Sequence, residues 1–190
     1  MTSVRLVWLL LCLLWVFAEI RLARQSRPDS RFILTIECRS QRWLWLSILG
    51  SLVLAFSFKL LAWIPIPIPY LPRQLLAMLV FGCGLSLRFW AVTQLGQFFT
   101  THVTIQQQHQ LITSGPYRTI RHPAYTGLLL ALAAAGLAMG DFLALLFLTI
   151  PIFWGFRTRI NIEEKMLLQQ FGAVYAAYCQ TRWRLLPWLY

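Results

Sequence analysis

The sequence predicts an all-α integral membrane protein of about five transmembrane helices, ending in a helical hairpin and a cytoplasmic amphipathic helix. Three observations carry this expectation. Only 12% of the 190 residues are charged, against 58% hydrophobic. A soluble domain carries about 25% charged residues, so there are too few here to cover a water-facing surface. The apolar residues fall into blocks of membrane-spanning length. The charges lie between those blocks, 17 Lys and Arg against 6 Asp and Glu for a net +11. That placement suits anionic lipid headgroups and argues against nucleic acid as a partner. The length fits a single domain over residues 1–190.

The first span covers about residues 4–20 and is read as a retained helix, since no small-residue cleavage site follows it. A basic segment comes next, with Arg21, Arg24, Arg27, Arg31, Arg39 and Arg42. The second span, about 43–64, ends at Pro65-Ile66-Pro67-Ile68-Pro69, where each proline removes an N–H and restricts the residue before it. The third span is about 71–92, and a polar stretch from Thr93 to His122 follows. The apolar run from Ala124 to Phe156 is too long for one span, and Gly140-Asp141 divides it. Gly suits a helix C-terminus and Asp an N-cap, so a tight hairpin of spans 124–140 and 142–156 is expected. The six arginines after span one orient that segment to the cytoplasm, which brings Arg118, Arg121, Arg157, Arg159, Lys165, Arg182 and Arg184 to the same side. Lys59 and Arg88 lie inside apolar blocks, each near enough to an end to snorkel or, alternatively, to serve a function. Cys12, Cys38, Cys83 and Cys179 are scattered, and neither a metal site nor a disulfide framework is indicated.

Two polar segments stand out, and the hairpin brings them to one membrane face. In the first, Pro123 suits the first position of a helix and places His122 near its N-cap. The free N–H groups and partial positive charge there, with Arg118 and Arg121 nearby, make a carboxylate-binding corner. Gly115-Pro116 can turn Tyr117 against that helix start. In the second, Ile160, Leu167, Phe171, Val174 and Tyr178 form a helical stripe interrupted by Glu163 and Glu164. An acid in an apolar stripe needs a partner, and Arg159 stands four residues before Glu163. An ordinary basic loop and a surface ion pair satisfy the same residues. Read as a site, cations, acids and tyrosines together suit S-adenosylmethionine, and they also suit other nucleotide cofactors.

Taken in order, Gly115-Pro116-Tyr117-Arg118, Arg121-His122-Pro123-Ala124-Tyr125-Thr126-Gly127, Arg159 to Glu164, and Phe171-Gly172 to Tyr175 and Tyr178 resemble the isoprenylcysteine carboxyl methyltransferase family. The resemblance covers a cofactor half of about residues 95–187. It implies S-adenosylmethionine-dependent methyl transfer to the carboxylate of a lipophilic, isoprenylcysteine-like acceptor at the membrane. It implies that His109, Gln110, Leu111, Ile112, Tyr117, His122, Pro123, Ala124, Tyr125 and Glu163 bind the cofactor. Arg159 would hold the acceptor carboxylate, and Glu164 would support catalysis. The short chain looks like a bacterial-type relative, which implies a bacterial inner membrane with the cofactor site toward the cytoplasm. Alternatives are a phospholipid N-methyltransferase, a membrane reductase of the sterol-reductase kind using a nicotinamide cofactor, and a small membrane scaffold.

Overall fold

The structure, a computed structural model, describes residues 2–25, 35–99 and 110–187. Arg27, Arg31 and His109 lie outside the described residues. Six α-helices follow in order: α1 Thr2–Gln25, α2 Thr35–Leu61, α3 Tyr70–Leu95, α4 Pro123–Met139, α5 Phe142–Phe171 and α6 Ala173–Thr181. Four of them, α1, α2, α3 and α5, are long and apolar enough to cross a bilayer. With its 17 residues, α4 is about 25 Å long, at the lower limit for a crossing. Among the described residues there is no strand, as lipid requires of a chain that is not a closed barrel. The protein is an integral membrane protein of helical architecture. Its outer faces carry exposed apolar side chains where a soluble protein would carry charge, including Leu14 and Phe17 on α1, Leu49 and Val53 on α2, and Leu79 on α3.

Glycines set how closely the helices approach. A Cβ on Gly84 of α3 would lie 2.6 Å from the Gly127 carbonyl oxygen of α4, and one on Gly127 would run into the Gly84 carbonyl in turn. The two backbones therefore touch, the small-residue contact that brings helices together where no hydrophobic drive exists between them. At Gly136 of α4 the obstacle is the Leu145 Cα of α5, at 2.7 Å. The main core lies between α2, α4 and α5, around Ala55, Leu132, Leu148, Ile152, Phe156 and Ile160. A second cluster joins α3 and α4 through Phe81, Ala131 and Ala134, with Trp8 and Trp15 of α1 against it.

The hairpin turn forms where the sequence places it. Gly140 ends α4 at φ 85°, and Asp141 caps α5 by accepting from the backbone N–H groups of Leu143 and Ala144. The other Asp141 oxygen accepts from the Ile64 N–H at 2.8 Å. Ile66 N–H also donates to the Gly140 carbonyl at 3.0 Å, so the proline-rich turn is docked on the hairpin.

Past the apolar run, α5 continues for another four turns, because Arg157 to Phe171 keep helical geometry after the side chains turn polar. A helix of 30 residues is about 45 Å long and outreaches the roughly 30 Å hydrocarbon core. Gly172, at φ 51°, then breaks the chain into the short α6. The expected stripe is split by this break: Ile160 is buried on α5 and Tyr178 half-buried on α6, whereas Val174 is 66% exposed. The two intramembrane cations part company. Lys59 is exposed and lies over the Phe56 ring. Arg88 does not snorkel; it is 8% exposed and its guanidinium grips Glu19 of α1.

Candidate active site

A cavity of about 800 Å³ runs between the helices at the end where α4 begins. His122 occupies the α4 N-cap and Pro123 its first position, as the sequence implies. The His122 ring is buried between the two acids of α5. Its Nδ1 lies 3.8 Å from Glu163, and its Nε2 lies 3.1 Å from Glu164. Arg159 faces Tyr125 in the first turn of α4, and the Tyr125 ring packs on Phe156 at 5.0 Å. Along α5 the cavity therefore meets Phe156, then Arg159, then Glu163, in steps of about one helical turn. An apolar end, a cation and an acid follow one another down a single wall.

The remaining polar surface comes from the loop before α4 and from α6. Tyr117, on the short 3-10 turn Gly115–Arg118, lines the cavity with its backbone carbonyl accepting from the Tyr178 hydroxyl at 2.7 Å. Burial, reinforced by the negative charge of Glu163, raises the Tyr117 phenol well above its ordinary value. Tyr178 is raised by burial to about 12, with Arg182 and Arg121 opposing the shift. Tyr175 is likewise raised by burial, then by Glu164. All three stay protonated near neutrality, and Tyr117 and Tyr178 donate to the Ala91 and Tyr117 carbonyls.

Most of the sequence-derived site residues converge here. Gln110, Leu111, Ile112, Tyr117, His122, Ala124, Tyr125, Arg159 and Glu163 all line the cavity. Pro123 is fully buried behind it, shaping the helix start. Glu164 is not on the lining. It accepts from Arg121 at 2.8 Å, His122 at 3.1 Å and Arg184 at 2.6 Å, facing away from the cavity as an ionic node.

That node anchors a feature with no signature in the residue pattern. Residues 182–186 cross the α4 N-terminus and pair with the chain before it. Trp183 N–H donates to the Thr119 carbonyl, Arg121 N–H to Trp183, and His122 N–H to Arg184. The Thr126 hydroxyl donates to the Leu185 carbonyl at 2.7 Å. The C-terminal segment thus clamps the loop that carries Tyr117 and His122.

Sequence reasoning also missed the apolar half of the cavity. Trp15, Val16 and Ile20 of α1 line it, as do Leu44, Ile48 and Leu52 of α2. Leu128 and Leu132 of α4 continue the same surface. Nothing in the pattern of an apolar helix separates a residue facing lipid from one facing a cavity. Tyr175, with 2% exposure and a hydroxyl that finds no oxygen or nitrogen partner among the described residues, belongs to the polar half.

Among the described residues, the helical membrane body holds a cavity that is polar and cation-bearing at one end and apolar at the other. The chain belongs to the isoprenylcysteine carboxyl methyltransferase (ICMT) family, whose family model matches residues 75–169. A probable protein-S-isoprenylcysteine O-methyltransferase of Oryza sativa subsp. indica is 35% identical over 108 residues, 56% of each chain. The protein-S-isoprenylcysteine O-methyltransferase of Schizosaccharomyces pombe is 33% identical over 97 residues, 50% of this chain and 41% of the relative. Among solved structures, the eukaryotic intramembrane Ras methyltransferase ICMT superposes with a TM-score of 0.62 at 25% identity, covering 76% of this chain and 52% of the other. The chain spans about half the length of the relatives it matches.

Proposed function

We propose that the protein transfers a methyl group from S-adenosylmethionine to the carboxylate of a lipophilic, isoprenylcysteine-like acceptor. The observation that carries this reading is the order of groups in the cavity: acid and histidine at one end, Arg159 in the middle, apolar walls beyond. The polar end fits the donor's chemistry. Glu163 suits an ammonium or ribose hydroxyls. Arg121 and the α4 N-terminus suit a carboxylate. Phe98, Phe99 and Tyr178 offer faces for a flat base. Bound there, S-adenosylmethionine would supply a sulfonium methyl that passes to an acceptor carboxylate oxygen, leaving S-adenosylhomocysteine.

A carboxylate is already a nucleophile at neutral pH, so the chain need provide no base. Arg159, steadied by Tyr125, holds the acceptor carboxylate in line, and positioning of this kind lowers a barrier without any proton transfer. The apolar residues of α1, α2 and α4 take the acceptor's hydrocarbon. Arg21 and Arg24 near the end of α1 flank Ala23, which lines the cavity, and under the positive-inside rule this supports a donor end that faces the cytoplasm of a bacterial inner membrane.

Calorimetric titration of the purified protein tests the donor. Saturable binding of S-adenosylmethionine and S-adenosylhomocysteine, lost in folded Glu163→Ala and His122→Ala variants, is expected. Binding of a reduced nicotinamide cofactor instead would favour a reductase. The acceptor is tested with Arg159→Ala, which is expected to raise KM for a prenylated cysteine at least tenfold while the donor still binds. An unchanged KM would sink the carboxylate reading and favour an amine acceptor such as a phospholipid headgroup.

A further inference from the structure

α1 forms one wall of the cavity yet is thinly attached to the rest of the protein. Its lipid side is open, with Leu13, Leu14 and Phe17 at 57%, 65% and 61% exposure. Its polar and aromatic attachments lead to α3. The Trp8 indole N–H donates to Gln74 at 2.6 Å. The Trp8 and Trp15 rings meet Phe81 edge-on at 5.4 and 5.7 Å. Near the cavity, Glu19 accepts from Arg88 Nε at 2.5 Å and Nη2 at 2.6 Å, while Trp15 Nε1 donates to the same carboxylate at 3.0 Å. Both Glu19 and Arg88 line the cavity.

An ion pair between membrane-spanning helices is a costly way to join them, because Arg88, its side chain 9% exposed, is taken out of water and Glu19, at 29%, partly so. Apolar packing would hold α1 as well if attachment were all that mattered. The pair sits where α1 faces the apolar half of the cavity, and its cation stands on the most fixed part of α3. Arg88 is one turn beyond Gly84, and its backbone nitrogen would lie 2.8 Å from a Cβ on Gly127. The pair therefore ties a thinly packed wall to a tightly packed crossing.

We propose that Glu19 is a positioning residue that, through Arg88, latches α1 onto α3 as the lipid-side wall of the cavity and so governs how the acceptor's apolar part is admitted and held. The acceptor clause rests on the function proposed above; the latch itself does not. Opening the latch swings α1 away from the body and leaves the donor end, built from α4, α5, α6 and the preceding loop, in place.

The test uses the full chain in lipid nanodiscs, with the native cysteines replaced by alanine and spin labels at Leu13→Cys and Leu79→Cys on the lipid-facing sides of α1 and α3. With Glu19 present, one narrow distance distribution is expected. Glu19→Gln is expected to add a longer distance, to raise KM for a prenylated cysteine at least fivefold with a smaller change in kcat, and to leave the donor Kd within twofold. Glu19→Asp, which keeps the charge on a shorter arm, is expected to fall between the two and serves if the Gln variant does not fold. An unchanged distance distribution overturns the proposal whatever KM does. A lower KM in Glu19→Gln overturns it as well, because Arg88 would then be an acceptor ligand that Glu19 blocks. A longer distance in Glu19→Gln, with no turnover of prenylated cysteine by the unsubstituted protein, upholds the latch and rejects the acceptor reading.

Discussion

Replacing Glu164 by Gln separates a structural from a chemical role for the second acid of α5. The carboxylate accepts from Arg121 at 2.8 Å, His122 at 3.1 Å and Arg184 at 2.6 Å. Gln keeps the shape and one acceptor oxygen but removes the charge, leaving two guanidiniums facing each other. Breaking a buried pair costs about 3–5 kcal/mol. Here the side chains of Arg121, Arg184 and Glu164 keep 15%, 18% and 16% exposure, so water still reaches them. The loss is then about 2–3 kcal/mol, between the surface and the fully buried limits. For a chain of this size that corresponds to a fall in melting temperature on the order of 4–12 °C. The C-terminal clamp should loosen with it, since Arg184 is one of its anchors, and donor affinity should fall because His122 and Tyr178 lose their setting. Tryptophan-fluorescence melting and donor titration check both. A variant with wild-type melting and wild-type donor affinity but no turnover would refute this account and put Glu164 in the chemistry itself.

Two further substitutions test the frame. Gly127→Ala puts a Cβ against the Gly84 carbonyl and the Arg88 backbone nitrogen, neither of which can step aside, so α3 and α4 must part. A cost of about 1–3 kcal/mol is expected by thermal melting, and an unchanged melting temperature would show that the helices are not in backbone contact. Asp141→Ala removes the α5 cap and strands the Ile64 N–H, for about 2–4 kcal/mol. Asp141→Asn keeps one of the two acceptor oxygens and turns an NH2 toward the remaining donor, so it should recover only part of that loss, and equal losses in the two variants would count against the hydrogen-bond reading.

The helical membrane architecture was legible because it rests on signals that act locally. Composition and block length announce a bilayer, and Gly140-Asp141 announces a turn between two helices whatever surrounds it. The polar half of the cavity was legible for a related reason: His122, Pro123 and Tyr125 lie within one turn of a helix start, and Arg159 and Glu163 within one turn of each other. What escaped the sequence depends on partners far apart in the chain. Glu19 and Arg88 are 69 positions apart, and each alone reads as a charge near the end of an apolar block. Two opposite charges within apolar blocks were the available signal. The segment 182–186 pairs by its backbone, which leaves no side-chain pattern to read. The family resemblance implies a supporting role for Glu164, and sequence alone does not tell which way it faces beside Glu163. A helix turns about 100° per residue, and that rotation sends Glu163 toward the cavity and Glu164 into the ionic node.

The two halves of the cavity are held by different physics, and this bears on how each can vary. The polar half depends on directed contacts: a carboxylate between two guanidiniums and an imidazole, a phenol on a particular carbonyl, a histidine at a cap. Such contacts fail when one atom is removed or misplaced, so few residue types serve at each position. The apolar half depends on contact area, for which Leu, Ile, Val and Trp are exchangeable provided the volume is kept. Sequence likeness should then persist in the first half and fade in the second. The family match accords with this: it begins at Leu75, after both α1 and α2, which supply much of the apolar wall. A donor common to many acceptors calls for a fixed pocket, whereas the acceptor's hydrocarbon can be accommodated by repacking the wall. Under the proposed function, acceptor choice would be set in α1 and α2, where Trp15, Ile48 and the Glu19–Arg88 pair line the space, and substitutions there should move acceptor preference while leaving donor affinity alone.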